Sequence, residues 1–185
     1  MHVEARMDRS SVEYGPVDGG VVDLRPTDRM ATTNAPPVPW VLEINPRPLG
    51  LTASRIIETV YGIDYSGVAI ALAIDDKERA KSLSRPFAKG AQHTGAMVLI
   101  PAEFDQTCEG IFDSDDIWEE LLARRPDLGK NINRYGCLAK RGQRIPHPCS
   151  GANTVVAYFN VFSESRQEAL EIAAEVKREM RYSFR

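Results

Sequence analysis

Residues 41–50 read VLEINPRPLG. Trp40, Leu42 and Ile44 alternate with Val41, Glu43 and Asn45, the period-two pattern of a half-buried strand, and Pro46 and Pro48 stop it. Residues two apart on a strand share a face, about 7 Å apart at Cα. Glu43 and Asn45 therefore set a carboxylate and an amide oxygen side by side. Near the start of the chain, Val3, Ala5 and Met7 alternate with His2, Glu4 and Arg6, a second strand whose obvious partner is residues 41–45. If the two pair, Glu4 can face Glu43.

That arrangement suits a shared hard cation. Mg²⁺ takes oxygen ligands and is held by one or two carboxylates together with substrate phosphates. Two facing carboxylates without a cation repel, and one pKa rises. Arg47, restricted between two prolines, offers a guanidinium that can clamp phosphoryl oxygens or a developing oxyanion. The plainer reading of Glu43, Asn45 and Arg47 is a strand end and a Pro-rich turn, with Asn45 satisfying turn amides. Glu4 alone reads as a solvated side chain, and His2 as a packing residue. The second acidic strand is what favours the functional reading.

The order E-I-N-P-R-P-x-G, preceded by H-x-E at residues 2–4, is similar to the C-terminal motif of the ATP-grasp carboxylate–amine ligases. The resemblance is tight over 42–50, fair over 1–8 and 51–74, and loose beyond, where it points to the L-amino-acid ligase and carnosine-synthase-like branch. It implies that Glu4, Glu43 and Asn45 are metal ligands for Mg²⁺, with Mn²⁺ as the alternative ion. It implies that Glu43, Asn45 and Arg47 contact ATP, and that Arg47 is the catalytic contact to the transferred phosphate and the acyl phosphate. The fold implied is α+β: the metal-binding C-terminal part of an ATP-grasp lobe over residues 1–79, then a small strand-and-helix subdomain over 80–185. The partners implied are ATP, a small carboxylic acid, and an amine or amino acid.

Two departures accompany the resemblance. Family members join the two acidic strands by a short turn, whereas residues 10–39 intervene here. With Gly15, Gly19, Gly20 and five prolines, this segment shows no sustained periodicity and is expected to be a long disordered insertion. No Gly-rich phosphate loop is present either. The N-terminal ATP-cradling lobe is therefore expected in cis or in trans, with this chain a fragment that is inactive alone. The alternative is a non-catalytic ATP-grasp remnant, or a subunit that completes a site in a partner protein.

The remaining sequence supplies a frame. Gly50 precedes a helix carrying Ile56, Ile57, Val60 and Tyr61, and Gly62 suits its C-terminal cap. Asp64 caps a second helix through Ile74, apolar nearly all round and so expected to be buried. Residues 75–85 read as a charged surface connection. Residues 96–100, 107–112 and 154–162 read as strands, and 137–145 as a hairpin around Lys140-Arg141-Gly142. Asp113 or Ser114 is expected to cap a helix ending before Pro126, and Ser165 with Glu168 forms a capping box for the last helix.

Composition excludes several classes. With 23 basic and 26 acidic residues among 185, no basic excess exists for nucleic acid. The odd, irregularly spaced set Cys108, Cys137 and Cys149 is not a disulfide framework and suits a reducing compartment. The longest apolar run, residues 67–74, falls far short of the ~20 residues that span a bilayer. With a polar N-terminus, the reading is a cytoplasmic protein without a membrane partner. Cys137 and Cys108 read as buried inert thiols, and His147 with Cys149 is too close on a Pro-rich stretch for a nucleophile pair.

Overall fold

The computed structural model describes residues 2–17, 21–27, 36–45, 47, 49–152 and 154–185. Its first unit is a two-stranded antiparallel ribbon of β1 (His2–Asp8) and β4 (Val38–Asn45). The register places His2 opposite Asn45, Glu4 opposite Glu43 and Arg6 opposite Trp40, with a bulge between Glu4 and Ala5. Directly opposed residues project from the same face. One face therefore carries Glu4, Glu43 and Asn45, and the other carries Val3 with Ile44 and Ala5 with Val41.

The expected structureless insertion is corrected over much of its length. β2 (Val12–Pro16) and β3 (Val22–Pro26) form an antiparallel hairpin with Tyr14 opposite Leu24. Its alternation, Val12-Tyr14 against Val22-Leu24, is short and ends on Pro16 and Pro26, so the prolines mask a strand signal while sitting where they cost no inner ladder bond. The base of the hairpin turn is held by the Val17 N–H donating to the Val21 carbonyl at 2.8 Å, and Val21 is buried against the main core. Asp23 pairs with Arg166 on the far side of the chain. Residues 18–20 and 28–35 of the expected insertion lie outside the described residues.

Three helices follow. α1 (Leu51–Tyr61) ends on Gly62, whose φ of 79° lets its N–H bond the Glu58 carbonyl. A side chain there would be strained and would collide with the Phe87 ring. α2 (Tyr65–Ala73) is capped by Asp64 accepting from the Gly67 N–H at 2.9 Å, as the sequence predicts. The expectation that α2 is buried is corrected: Ile70, Leu72 and Ile74 are 65%, 59% and 66% exposed, and Ala71 alone is buried. α2 touches chiefly α3 (Lys77–Leu83), itself a helix capped by Asp76 where a surface connection was expected. An apolar helix needs a second partner to hide its outer face, and none of the described residues covers it.

The second unit is a three-stranded antiparallel sheet in the order β5 (Thr94–Pro101), β7 (Val155–Ser163), β6 (Ile132–Cys137). β7, the β-branched and aromatic run, takes the centre, where both edges are paired. Val98, Ile100, Phe159 and Val161 face a core completed by α4 (Ile117–Arg124) and α5 (Arg166–Glu179), through Leu121, Ala173 and Val176. The other face receives α1, and Gly95 permits this: a Cβ there would lie 2.6 Å from Ile56.

Other expectations need revision. Residues 107–112 are not a strand. Asp105 accepts from the N–H and hydroxyl of Thr107 in a tight turn, and only Ile111 and Phe112 bridge, to Arg144 and Phe184. The cap of α4 is Asp116, accepting from the Trp118 and Glu119 N–H groups, while Asp113 pairs with Arg141. The expected hairpin is a turn whose arms go elsewhere: Leu138 and Ala139 donate to Val156, and Gln143 accepts from Phe112. β6, whose sequence INRYGC lacks alternation, was missed by periodicity. The capping box is half present. Ser165 accepts from the Glu168 N–H, but the Glu168 carboxylate binds the Ser163 hydroxyl, which in turn accepts from the Ser165 N–H. Among the described residues no single helix is long and apolar enough to cross a membrane.

Candidate metal and phosphate site

Pairing of β1 with β4 brings Glu4, Glu43 and Asn45 to one face of the ribbon from the two ends of a long intervening segment. Glu4 and Glu43 are cross-strand partners, and Asn45 stands two residues further along the same face. Arg47 lies in the bend beyond β4, two residues past Asn45 and exposed. Its flanking prolines, Pro46 and Pro48, lie outside the described residues, as does the side chain of His2. After the bend, Ser54 donates to the Leu49 carbonyl at 2.6 Å and its N–H bonds Gly50 at 3.1 Å. These bonds start α1 directly behind the motif.

The donor set fits a Mg²⁺-type ion. Among the described residues no group of three or more His, Cys, Asp or Glu could hold a metal, so a thiolate or imidazole centre of the zinc type has no support here. What the ribbon offers is two carboxylates and an amide, all hard ligands, leaving coordination positions for phosphate oxygens and water. The Asn45 amide nitrogen is buried and has no hydrogen-bond partner. A buried orphan donor is costly and calls for an acceptor. A phosphate oxygen held beside the metal would supply one.

Further along the same face, Arg6 and Trp40 open into a cleft of about 1200 Å³ between the ribbon and the β2–β3 hairpin, also lined by Tyr14, Leu24 and Leu42. The sequence carried no signal for this cleft, because the hairpin that forms its second wall was read as structureless.

The remaining candidates resolve as structural. His147 accepts from the Cys149 N–H at 3.1 Å through Nδ1, and Nε2 lies 3.1 Å from the Phe104 carbonyl, so both ring nitrogens hold a turn. Cys108, Cys137 and Cys149 are free. Cys137 is exposed at the end of β6 rather than buried as expected. Its thiol donates to the Ala139 carbonyl at 3.0 Å, and partial desolvation holds its pKa above the usual value.

The fold is α+β, and along its whole length the chain is similar to part of an ATP-grasp enzyme. It is 51% identical over all 185 of its residues to the ATP-grasp enzyme fsqD of Aspergillus fumigatus, and spans 32% of that protein's length. In structure it resembles the L-amino acid ligase from Bacillus licheniformis, with a TM-score of 0.59 and 19% identity, over 80% of this chain and 34% of that one. No family model matches the sequence.

Proposed function

We propose that this chain supplies the metal- and phosphate-binding half of an ATP-dependent carboxylate–amine ligase. The observation that carries the reading is the facing pair Glu4 and Glu43 with Asn45 on the same face, followed by Arg47. Similarity to an ATP-grasp enzyme along the whole chain and a fold shared with an L-amino acid ligase support it.

In the proposed reaction a carboxylate oxygen of the acid attacks the γ-phosphorus of ATP and ADP leaves. The amine then attacks the acyl carbon, phosphate leaves, and an amide bond remains. Bound Mg²⁺ or Mn²⁺ would neutralise the phosphate charge that builds up in the first step. Glu4 and Glu43 would hold that ion, with the Asn45 amide oxygen as a further ligand and its nitrogen free to donate to a phosphate oxygen. Arg47 contacts the transferred phosphoryl group and then the acyl phosphate, where a guanidinium stabilises spreading negative charge. Catalysis of this kind is mostly positioning and charge neutralisation.

The adenine-binding lobe belongs to the proposal as a further part, in cis or in trans. Two apolar surfaces favour its docking here: Val3, Val41 and Ile44 on the ribbon, and Ile70, Leu72 and Ile74 on α2. Exposed patches of this kind mark interaction faces. The same surfaces also suit the second reading, a non-catalytic subunit completing a partner's site.

The test is Mn²⁺ binding by the 185-residue chain, followed by electron paramagnetic resonance, together with amide formation by a complete ligase built on this segment. The proposal expects saturable binding that Glu43→Ala and Glu4→Ala weaken, and turnover that Glu43→Ala abolishes. Wild-type turnover in Glu43→Ala at saturating Mg²⁺ would remove the motif from the mechanism. Metal binding without turnover in the complete protein would favour the second reading.

A further inference from the structure

α1 is fastened to the second sheet along one face, at residues 52, 56 and 59, which share a side of the helix. Near its end the Thr59 hydroxyl accepts from the Asn133 amide, where β6 bulges between Ile132 and Arg134 beside an open pocket of about 440 Å³. In the middle Ile56 packs over Gly95, which has no side chain to hold it away. At the first turn Asn160 of β7 donates through its amide to the Thr52 carbonyl at 2.7 Å.

Stability does not account for this last bond. Asn160 is fully buried, and its Oδ1 has no hydrogen-bond partner. A buried unmet acceptor costs free energy. The Thr52 carbonyl does not require a second donor, because a carbonyl at this place in a helix accepts from the N–H four residues on. A leucine, with the same branched shape, would avoid the unmet acceptor. What the amide adds is direction. A hydrogen bond fixes distance and angle, whereas apolar packing is non-directional.

The element so fixed is the start of α1. Its cap residue, Gly50, lends no side chain. Among the described residues β1 and β4 contact chiefly each other. Asn45 and Arg47 therefore depend for their placement on the anchors just after them: the Ser54 bonds to Leu49 and Gly50, and the Asn160 bond to Thr52.

We propose that Asn160 is a positioning residue for the phosphate end of the ribbon site. It holds the first turn of α1 in one place on the sheet, so that Arg47 and the Asn45 amide meet the same phosphoryl group. Glu4 and Glu43 face each other within the ribbon and do not depend on it. The inference rests on the metal- and phosphate-binding reading above. It separates two affinities that a merely structural role would move together: for the metal alone, and for phosphate in the presence of metal.

The experiment is electron paramagnetic resonance of Mn²⁺ bound to the 185-residue chain, with and without inorganic triphosphate. Asn160→Leu should bind Mn²⁺ as the wild type does and lose about tenfold in affinity for triphosphate, the size of one misplaced charge-assisted contact. Asn160→Asp adds a pH profile. Burial raises the pKa of its carboxyl, and only the protonated form can donate to Thr52. Its triphosphate affinity relative to wild type should therefore recover as pH falls from about 8 to about 6, with Asn160→Leu showing no such recovery. The proposal is overturned if Asn160→Leu binds triphosphate as the wild type does, if its Mn²⁺ affinity falls equally, or if a folded Asn160→Asp shows no recovery. A wild type that binds neither Mn²⁺ nor triphosphate defeats the metal reading by itself. Nuclear magnetic resonance relaxation of the ligand-free chain then decides the role of Asn160: reduced backbone order at Arg47 and residues 49–52 in Asn160→Leu supports it, and unchanged order overturns it.

Discussion

Glu4 on β1 stands directly opposite Glu43 on β4, although 38 residues separate them in the chain. Two carboxylates in this relation offer one cation two hard oxygen ligands. Added Mn²⁺ or Mg²⁺ should therefore raise the melting temperature of the chain, because an ion that binds only the folded form stabilises it by mass action. Glu4→Gln should remove most of the metal response. Identical metal responses in wild type and Glu4→Gln, read by thermal denaturation, would contradict a shared site.

Gly62 ends α1 in the left-handed region and has the Phe87 ring against it. Gly62→Ala is expected to destabilise the fold by about 1 kcal/mol from backbone strain alone, and further because the ring must move. Chemical denaturation would show the loss as a lower midpoint at unchanged slope.

Asn160 is fully buried in the central strand. Its amide donates to the Thr52 carbonyl at 2.7 Å, and its Oδ1 has no partner. Asn160→Leu removes both a hydrogen bond and an unsatisfied acceptor, so global stability should change little, by about 1 kcal/mol or less. The start of α1, directly behind the motif, should nevertheless loosen. Hydrogen exchange would show faster amides in the first turns of α1 with the sheet unaffected. Uniformly faster exchange throughout would mean that Asn160 serves only the core.

Arg125 binds Asp127 through two nitrogens and reaches Glu175 at 2.6 Å, joining the end of α4 to α5. Its guanidinium holds both carboxyls below their ordinary values, and they in turn raise its own pKa. A carboxylate with a depressed folded-state pKa contributes stability that is complete above its unfolded value. That contribution is lost as pH falls through the folded value. Stability should thus decline below the ordinary carboxylate range, about pH 4. Arg125→Met should flatten that decline while leaving the slope near neutrality alone, as acid titration followed by circular dichroism would show.

Much was legible in the sequence because it depends on local rules. The two acidic strands follow from alternation, and their pairing from complementary patterns. Glu43 and Asn45 lie two apart on one strand, and that spacing puts them on a common face. The Gly62 and Asp64 caps and the central strand β7 follow from turn chemistry and β-branched composition. These signals lie within a few residues of the features they specify.

Tertiary structure alone decided the rest. The hairpin β2–β3 forms because its strands pair with each other and Val21 reaches the core, whereas its Gly and Pro content read as loop. The strand β6, with no alternation of its own, is a strand because β7 has an open edge to pair with it. The cap of α4 is Asp116, while Asp113 is engaged by Arg141 from a distant part of the chain. The apolar helix α2 is left exposed because burial depends on a partner surface, which its own sequence cannot supply. The pocket of Arg55, Glu58, Thr59, Asn133 and Arg134 joins residues more than 70 positions apart through a bulge. Sequence by itself determined which residues could do chemistry together along a strand. Which distant faces meet, and which stay open, was settled by packing, because burial is a property of pairs of surfaces and not of a single stretch of chain.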